Sequence, residues 1–221
     1  VPTLPFDRRL DPLWRELARL ARLGTVEREL HRRGFARVAG VDEAGRGCFA
    51  GPVVAAAVIL PDDAPLLGID DSKILDARAR GRSAEQLRRL EVEVGVGIVG
   101  ADFIDANDIL AATKRAMMEA LAALPSRPDA VVTDAVDLPA CVAPVLPVIR
   151  GDSRVLAVAA ASIVAKTTRD SLMDSLDAEF PWYGFGRNRG YGTLDHREAI
   201  RRHGPSPIHR FTFRGVIPAG A

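Results

Sequence analysis

Apolar positions recur along this chain with two different periods, and the change of period marks out its elements. In residues 11–33, Leu13, Leu17, Leu20 and Leu23 return at helical spacing. Asp11 followed by Pro12 supplies a helix start, and Gly24 breaks the run into two helices. Residues 38–43 and 52–60 are short, apolar, β-branched runs bounded by Gly and Pro, which predicts two strands joined as a hairpin. A polar helix runs to Leu90, and residues 91–101 alternate polar and apolar as a third strand. Residues 102–124 predict one helix, with Met117, Met118 and Leu121 facing the core and the prolines at 125 and 128 stopping it. Residues 130–134 form a short buried strand ending in an acid, and 144–150 another. A long Ala-rich helix follows over 153–177, then an irregular Gly- and Arg-rich loop over 181–192, a final helix over 194–203 and a basic tail over 206–214. Residues 1–10, with Pro2 and Pro5, read as a loose arm. Five strands interleaved with helices make an α/β sheet, antiparallel at its start.

Composition narrows the class. A chain of 221 residues suits one large domain, or a domain with an appendage. Hydrophobic residues are 48% and aromatics only 5%, so Ala, Val and Leu must fill the core. A net charge of +1 excludes a protein coated in basic residues, so a nucleic-acid partner has to meet positive charge gathered on one face. The charges of residues 11–33 read as a solvated face, with a nucleic-acid contact by their arginines as the alternative. No run approaches the length of a membrane span. The N-terminus lacks a basic-then-apolar signal pattern, so a cytoplasmic protein is expected. Cys48 and Cys141 have no CxxC spacing and read as reduced thiols. His31, His196, His203 and His209 are scattered and read as surface or capping residues rather than metal ligands.

The candidate chemistry is carried by acids. Asp42 and Glu43 end the first strand, where neither carboxylate tolerates burial without a partner. Alone they read as an exposed acidic turn. Gly45, Arg46 and Gly47 change that reading: the glycines permit positive φ and close approach, and the arginine sets a cation beside the acids. Hard oxygens of this kind suit Mg²⁺ or Mn²⁺. Asp134 ends a buried strand and is either a ligand or a solvated strand end. Asp152 precedes the long helix and is either a cap or a ligand. Asp170 lies 18 residues after Asp152, ~27 Å along an unbroken helix. It therefore cannot share an ion with Asp152 and is expected to pair with Lys166.

The segments carrying these residues resemble a known family. DEAGRG at 42–47, followed by GPVVAAAVIL at 51–60, is similar to the opening motif of type 2 ribonuclease H, the bacterial ribonuclease HII. DDSK at 70–73, GDSRVLAVAAASIVAKTTRD at 151–170 and GYGTLDH at 190–196 fit the same family in its order, and the resemblance covers about residues 36–214. It implies a ribonuclease H-like mixed five-stranded sheet flanked by helices, with a helical arm over 1–34 and a domain over 35–221. The core of that domain runs to about 180, and 181–221 form a C-terminal helical extension.

The resemblance also implies a function. Asp42, Glu43, Asp134 and Asp152 would form the active site and hold Mn²⁺ or Mg²⁺. Gly45, Arg46, Gly47 and Tyr191 would meet the 2′-hydroxyl, and Ser72, Lys73 and Arg46 are candidates for phosphate contact. Without the family, Tyr191 also reads as a turn aromatic packed on the core, and Ser72 as a helix cap. Lys166, Arg187, Arg189, His209 and Arg210 could extend a basic face, or each be a solvated surface charge. The implied activity is hydrolysis of the RNA strand of RNA–DNA hybrids and incision 5′ to ribonucleotides embedded in duplex DNA. A metal-activated water would give 5′-phosphate and 3′-hydroxyl ends, in an enzyme expected to be monomeric. Arg150 stands where a lysine is usual, and Leu194-Asp195 precede His196 where Lys-Glu is usual. A junction resolvase or a type 3 ribonuclease H would lack either the Gly-Arg-Gly turn or the tyrosine. A catalytically silent hybrid-binding protein would have lost a carboxylate. A metal-dependent sugar-phosphate enzyme would need no basic tail.

Overall fold

The first two apolar runs pair as their glycine-bounded lengths predict. β1 (Val38–Ala44) runs antiparallel to β2 (Val53–Ile59), in a register that sets Ala39 against Ile59 and Ala44 against Val54. β2 is buried along its whole length, as expected of an unbroken apolar run, and β3 (Glu93–Val99) pairs antiparallel on its far side. β4 (Ala130–Asp134) then joins β1 in parallel, and β5 (Val145–Val148) joins β4 in parallel. The mixed five-stranded sheet therefore has the order β3-β2-β1-β4-β5. The computed structural model describes residues 11–61, 66–69, 72, 75–90 and 92–217. The expected arm over 1–10 and the residues Asp70, Asp71 and Lys73 lie outside the described residues.

Helices cover both faces of the sheet. α5 (Ile109–Ala122) packs Ala112, Ala116, Met117 and Ala120 on one face, against Val41, Val53 and Ala55. α6 (Leu156–Glu179) and α3 (Ala77–Arg89) cover the other, against Ala56 and Val58. α6 comes down on β1 at Gly40, where a Cβ would meet the Ala157 carbonyl carbon at 2.1 Å. Only a glycine lets the helix backbone touch the strand there. A third cluster gathers Phe49, Met173, Tyr183, Phe185 and Ile200 beyond the sheet. It joins the far half of α6 to α7 (Phe185–Asn188) and α8 (Leu194–His203).

The leading helices α1 (Asp11–Leu23) and α2 (Thr25–Arg32) break at Gly24 as predicted. Val26 and Leu30 pack with Phe35 against Val132, Val155 and Val158. Leu13, Trp14 and Leu17 remain exposed. The arm is not merely a solvated face, because two of its acids reach the body of the protein. Glu16 accepts from the Gly68 N–H at 2.7 Å, and Glu27 accepts from the Ala157 N–H at 2.8 Å.

Several boundaries differ from the sequence reading. The helix expected over 102–124 is two, α4 (Ala101–Ala106) and α5, because Asp108 caps α5 by accepting from the Ala111 N–H at 2.7 Å. α6 begins at Leu156 rather than at 153. Residues Gly151–Ser153 form a 3₁₀ turn instead, entered through Arg150 at φ 57°. α3 is capped by Asp76, not Ser72. The loop expected over 181–192 contains a 3₁₀ turn (Pro181–Tyr183) and α7.

Candidate active site

Strand alternation and register bring the acids together. Asp42 lies two residues beyond Gly40 and so shares its face, the one covered by α6. The parallel register pairs Gly40 with Val132 and Val41 with Thr133, and it carries Asp42 alongside Asp134 at the C-terminal ends of β1 and β4. The 3₁₀ turn closes on them: the Gly151 N–H donates to Asp134 Oδ1 at 2.8 Å, and the next residue is Asp152. One oxygen each from Asp42, Asp134 and Asp152 lies within 4.8 Å of the others. Asp42 and Asp152 are each only 3% exposed. Three carboxylates so close, two of them out of water, repel one another unless a cation is shared. An all-oxygen donor set suits a hard divalent ion. Val155, the N-cap of α6, makes no side-chain cap bond, and Glu27 accepts from the Ala157 N–H.

Glu43, one residue on, alternates to the opposite side of β1 and is not part of that cluster. Its Oε1 meets Arg46 Nη1 at 3.3 Å. The turn after β1 then runs past Gly45, which takes φ +97° and lies so close to Arg169 that a Cβ would meet its Nε at 2.0 Å. Gly47 is exposed, with nothing within 4 Å of where a Cβ would stand. This exposed main chain, beside an arginine that is half in solvent, is open to a ligand. Ser72 is not. It is buried against α6, with its N–H donating to Ser162 Oγ at 3.1 Å.

Tyr191 sits beside the same turn. Burial, and then the neighbouring Cys48 thiol, raise its phenol above the ordinary value, while 46% of the residue stays exposed. Its carbonyl accepts from the Thr193 N–H at 2.8 Å and contacts His196 Nδ1 at the same distance. His196 and His209 are buried and meet Nε2 to Nε2, so neither is the surface or capping residue the sequence suggested. Arg210 is also fully buried, although the tail around it read as solvated. Desolvation lowers its guanidinium to about 10, which leaves it charged at neutral pH. Lys166 pairs with Asp170 at 2.7 Å, as expected. Arg189 is tied to Asp174 at 2.5 Å and to the Asp170 carbonyl at 2.8 Å.

A profile of the ribonuclease HII family matches residues 39–216. The chain belongs to that family. It is 53% identical over 202 residues to ribonuclease HII of Chloroflexus aurantiacus, covering 88% of this chain and 94% of that protein. It is 48% identical over 207 residues to ribonuclease HII of Geobacillus kaustophilus, covering 94% and 77%. Among solved structures, it resembles ribonuclease HII of Archaeoglobus fulgidus in a complex with PCNA, with a TM-score of 0.69 and 27% identity over 80% of this chain and 95% of that one. Bst-RNase HIII in complex with Mn²⁺ shares the fold, with a TM-score of 0.65 and 21% identity over 84% and 70%. The enzyme is a metal-dependent endoribonuclease of the ribonuclease H type, acting on RNA–DNA hybrids. No helix among the described residues is long and apolar enough to cross a membrane.

Sequence reasoning missed the residues that hold the family motifs in place. Arg169, Arg210, His196 and His209 are all fully buried. Thr193-x-x-His196 carries a local signal, since Thr193 caps α8 by accepting from the His196 N–H at 3.3 Å. For Arg169 the signal is its place in an otherwise Ala-rich helix. Arg210 has none, because its partners lie at 46 and 51.

Proposed function

We propose that Asp42, Asp134 and Asp152 hold the catalytic ion, Mg²⁺ or Mn²⁺, and that Glu43, set apart from that cluster against Arg46, is the fourth acid of the active site. The observation that carries this reading is the approach of one oxygen from each of the three carboxylates within 4.8 Å of the others, where the ends of β1 and β4 meet the 3₁₀ turn at 151–153. A bound divalent ion lowers the pKa of a water and stabilises the leaving oxygen. The protein's part is to hold the carboxylates in register: β1 and β4 set two of them, and the Gly151 N–H fixes Asp134 against the turn that carries the third. Gly45, Arg46, Gly47 and Tyr191 read the 2′-hydroxyl of the ribose, which donates and accepts. Arg46, Lys73 and Ser72 are assigned to flanking phosphates, Ser72 through its segment since its own side chain is buried. Incision falls 5′ to the ribonucleotide and leaves 5′-phosphate and 3′-hydroxyl ends. The same reading takes the enzyme as a cytoplasmic monomer. Two unbridged thiols, Cys48 and Cys141, agree with a reducing compartment.

The test is cleavage of a labelled DNA duplex carrying one ribonucleotide, beside an all-DNA control, in Mn²⁺ and in Mg²⁺. A single cut 5′ to the ribonucleotide, lost in Asp42→Asn, supports the reading. Cutting of both duplexes retains the metal site and removes the sugar recognition. Binding without cutting in either metal makes the chain a hybrid-binding protein.

A further inference from the structure

The turn after β1 and the loop before α8 are far apart in sequence, yet they are built as one piece. The Phe49 N–H donates to the Gly190 carbonyl at 2.7 Å, the Gly51 N–H to Ile208 at 2.9 Å, and the Arg210 N–H to Phe49 at 2.8 Å. Two buried guanidiniums fasten the joint. Arg169 gives Nε to the Pro52 carbonyl at 2.9 Å, Nη2 to Ala50 at 3.1 Å and Nη1 to Arg189 at 2.8 Å. Arg210 gives Nε and Nη2 to the Gly51 carbonyl at 3.1 and 2.9 Å, and Nη1 to Arg46 at 2.9 Å. Every one of these bonds ends on main chain of the Gly-Arg-Gly turn, its continuation to 52, or the loop that carries Tyr191. Among the described residues neither guanidinium is ion-paired to a carboxylate, an arrangement with a high desolvation cost. Spending two such cations on loop carbonyls makes sense where loop position, rather than overall stability, is at stake.

We propose that Arg169 and Arg210 are positioning residues for ribose recognition: they lock the Gly45–Arg46–Gly47 turn and the Tyr191 loop into one rigid unit and act on the substrate only through it. This rests on the assignment of that turn and of Tyr191 to the 2′-hydroxyl. Arg169 sits directly under Gly45, so the arginine also sets the height of the turn. Lysine cannot replace either residue, because one ammonium on a flexible stem does not span two carbonyls as a planar guanidinium does.

The experiment measures kcat and KM in Mn²⁺ on the single-ribonucleotide duplex for Arg169→Lys and Arg210→Lys, alone and combined with Tyr191→Ala. Melting with and without Mn²⁺ is recorded alongside. The expected result is a fall in kcat of about tenfold or more in each folded lysine variant, with the Mn²⁺-induced rise in Tm retained because the triad is intact. The loss should be less than multiplicative with Tyr191→Ala, since both changes disable one unit. A folded lysine variant with wild-type kcat, or losses that multiply independently, overturns the proposal. Should the lysine variants not fold, Asn188→Ala tests the same unit from its rim, where Asn188 Oδ1 accepts from the Gly190 N–H at 2.8 Å. A several-fold fall in kcat that is non-multiplicative with Tyr191→Ala supports the proposal, and an unchanged kcat overturns it. If the wild-type enzyme does not prefer the ribonucleotide duplex over all-DNA, the underlying assignment has failed. If it does prefer it and the variants behave as wild type, only the role of the arginines has failed.

Discussion

His196 and His209 meet Nε2 to Nε2 at 3.0 Å with both rings buried. Their outer partners dictate where the protons sit. The Tyr191 carbonyl, 2.8 Å from His196 Nδ1, can only accept, and the Ser206 N–H, 2.9 Å from His209 Nδ1, can only donate. His209 Nε2–H therefore donates to His196 Nε2, and a further proton on either ring breaks the chain. Burial lowers both rings, and the neighbouring His196 helps bring His209 down to about 4. Between that value and the ordinary 6.5 the unfolded chain binds more protons than the folded one, so stability rises with pH across the window and is flat above it. Thermal melts should show a constant Tm above about pH 7 and a fall as the pH drops from 6.5 towards 4, about 2–4 °C for each kcal/mol lost. In His209→Gln, Tm should be lower at pH 7 but its slope with pH shallower. An equal slope in that variant would place the acid sensitivity elsewhere.

The carboxylate triad predicts opposite effects on stability and activity. Removing one charge from Asp42, Asp134 or Asp152 relieves repulsion, so each Asp→Asn variant should melt no lower than wild type without metal, while cleavage falls by about a thousandfold or more. Saturating Mn²⁺ should stabilise the wild type by about 2.7 kcal/mol at a hundred times its Kd, and should leave the variants nearly unmoved. Calorimetric scans with and without the ion measure both. A variant that retained the full metal response would remove its residue from the set of ligands.

Gly45 and Gly47 flank the same arginine but should fail differently. Gly45 takes φ +97° over Arg169, so Gly45→Ala is strained and crowded together. It should cost about 1–3 kcal/mol and most of the activity. Gly47 has open space where a side chain would grow, so Gly47→Ala should change stability by less than about 0.5 kcal/mol and act mainly by raising KM, where the new methyl meets the sugar. Denaturant melts and Michaelis curves on one substrate separate the two cases. Equal destabilisation by both would contradict this account of the turn.

Glu27 supplies, from α2, the cap that α6 lacks locally, and burial raises its carboxyl above the ordinary 4.5. Glu27→Ala should cost about 1 kcal/mol, whereas Glu27→Gln keeps an acceptor and loses the desolvated charge. Because the folded pKa is raised, the contribution of the native group declines as pH rises through that window. At pH 7 the Gln variant should therefore equal or exceed the wild type in urea melts. Equal losses in both variants would argue against a capping role.

What the sequence disclosed follows the range of the interactions involved. The hairpin and the buried strand at Asp134 were legible because period, glycine and strand-end acids are local signals. The triad was half legible: alternation separates Asp42 from Glu43, but only the β1–β4 register places Asp42 beside Asp134. The break before α5 had a signal in Asn107-Asp108, hidden by the apolar run around it. His209 and Arg210 read as a solvated tail because basic residues near a terminus usually are. Their burial depends on carbonyls at 46 and 51 and on a ring at 196, supplied by distant segments. Glu27 was hidden for the same reason, since its partner lies 130 residues away.

The parallel pairing of β1 with β4 also bears on synthesis. Asp134 and Asp152 are made after Asp42, 92 and 110 residues further along the chain. The turn that carries Asp152 leads into α6, the helix that packs on β1 at Gly40. A growing chain, held beside messenger RNA throughout, thus carries the separate carboxylates but no assembled nuclease centre. The ability to cut arrives with the finished fold.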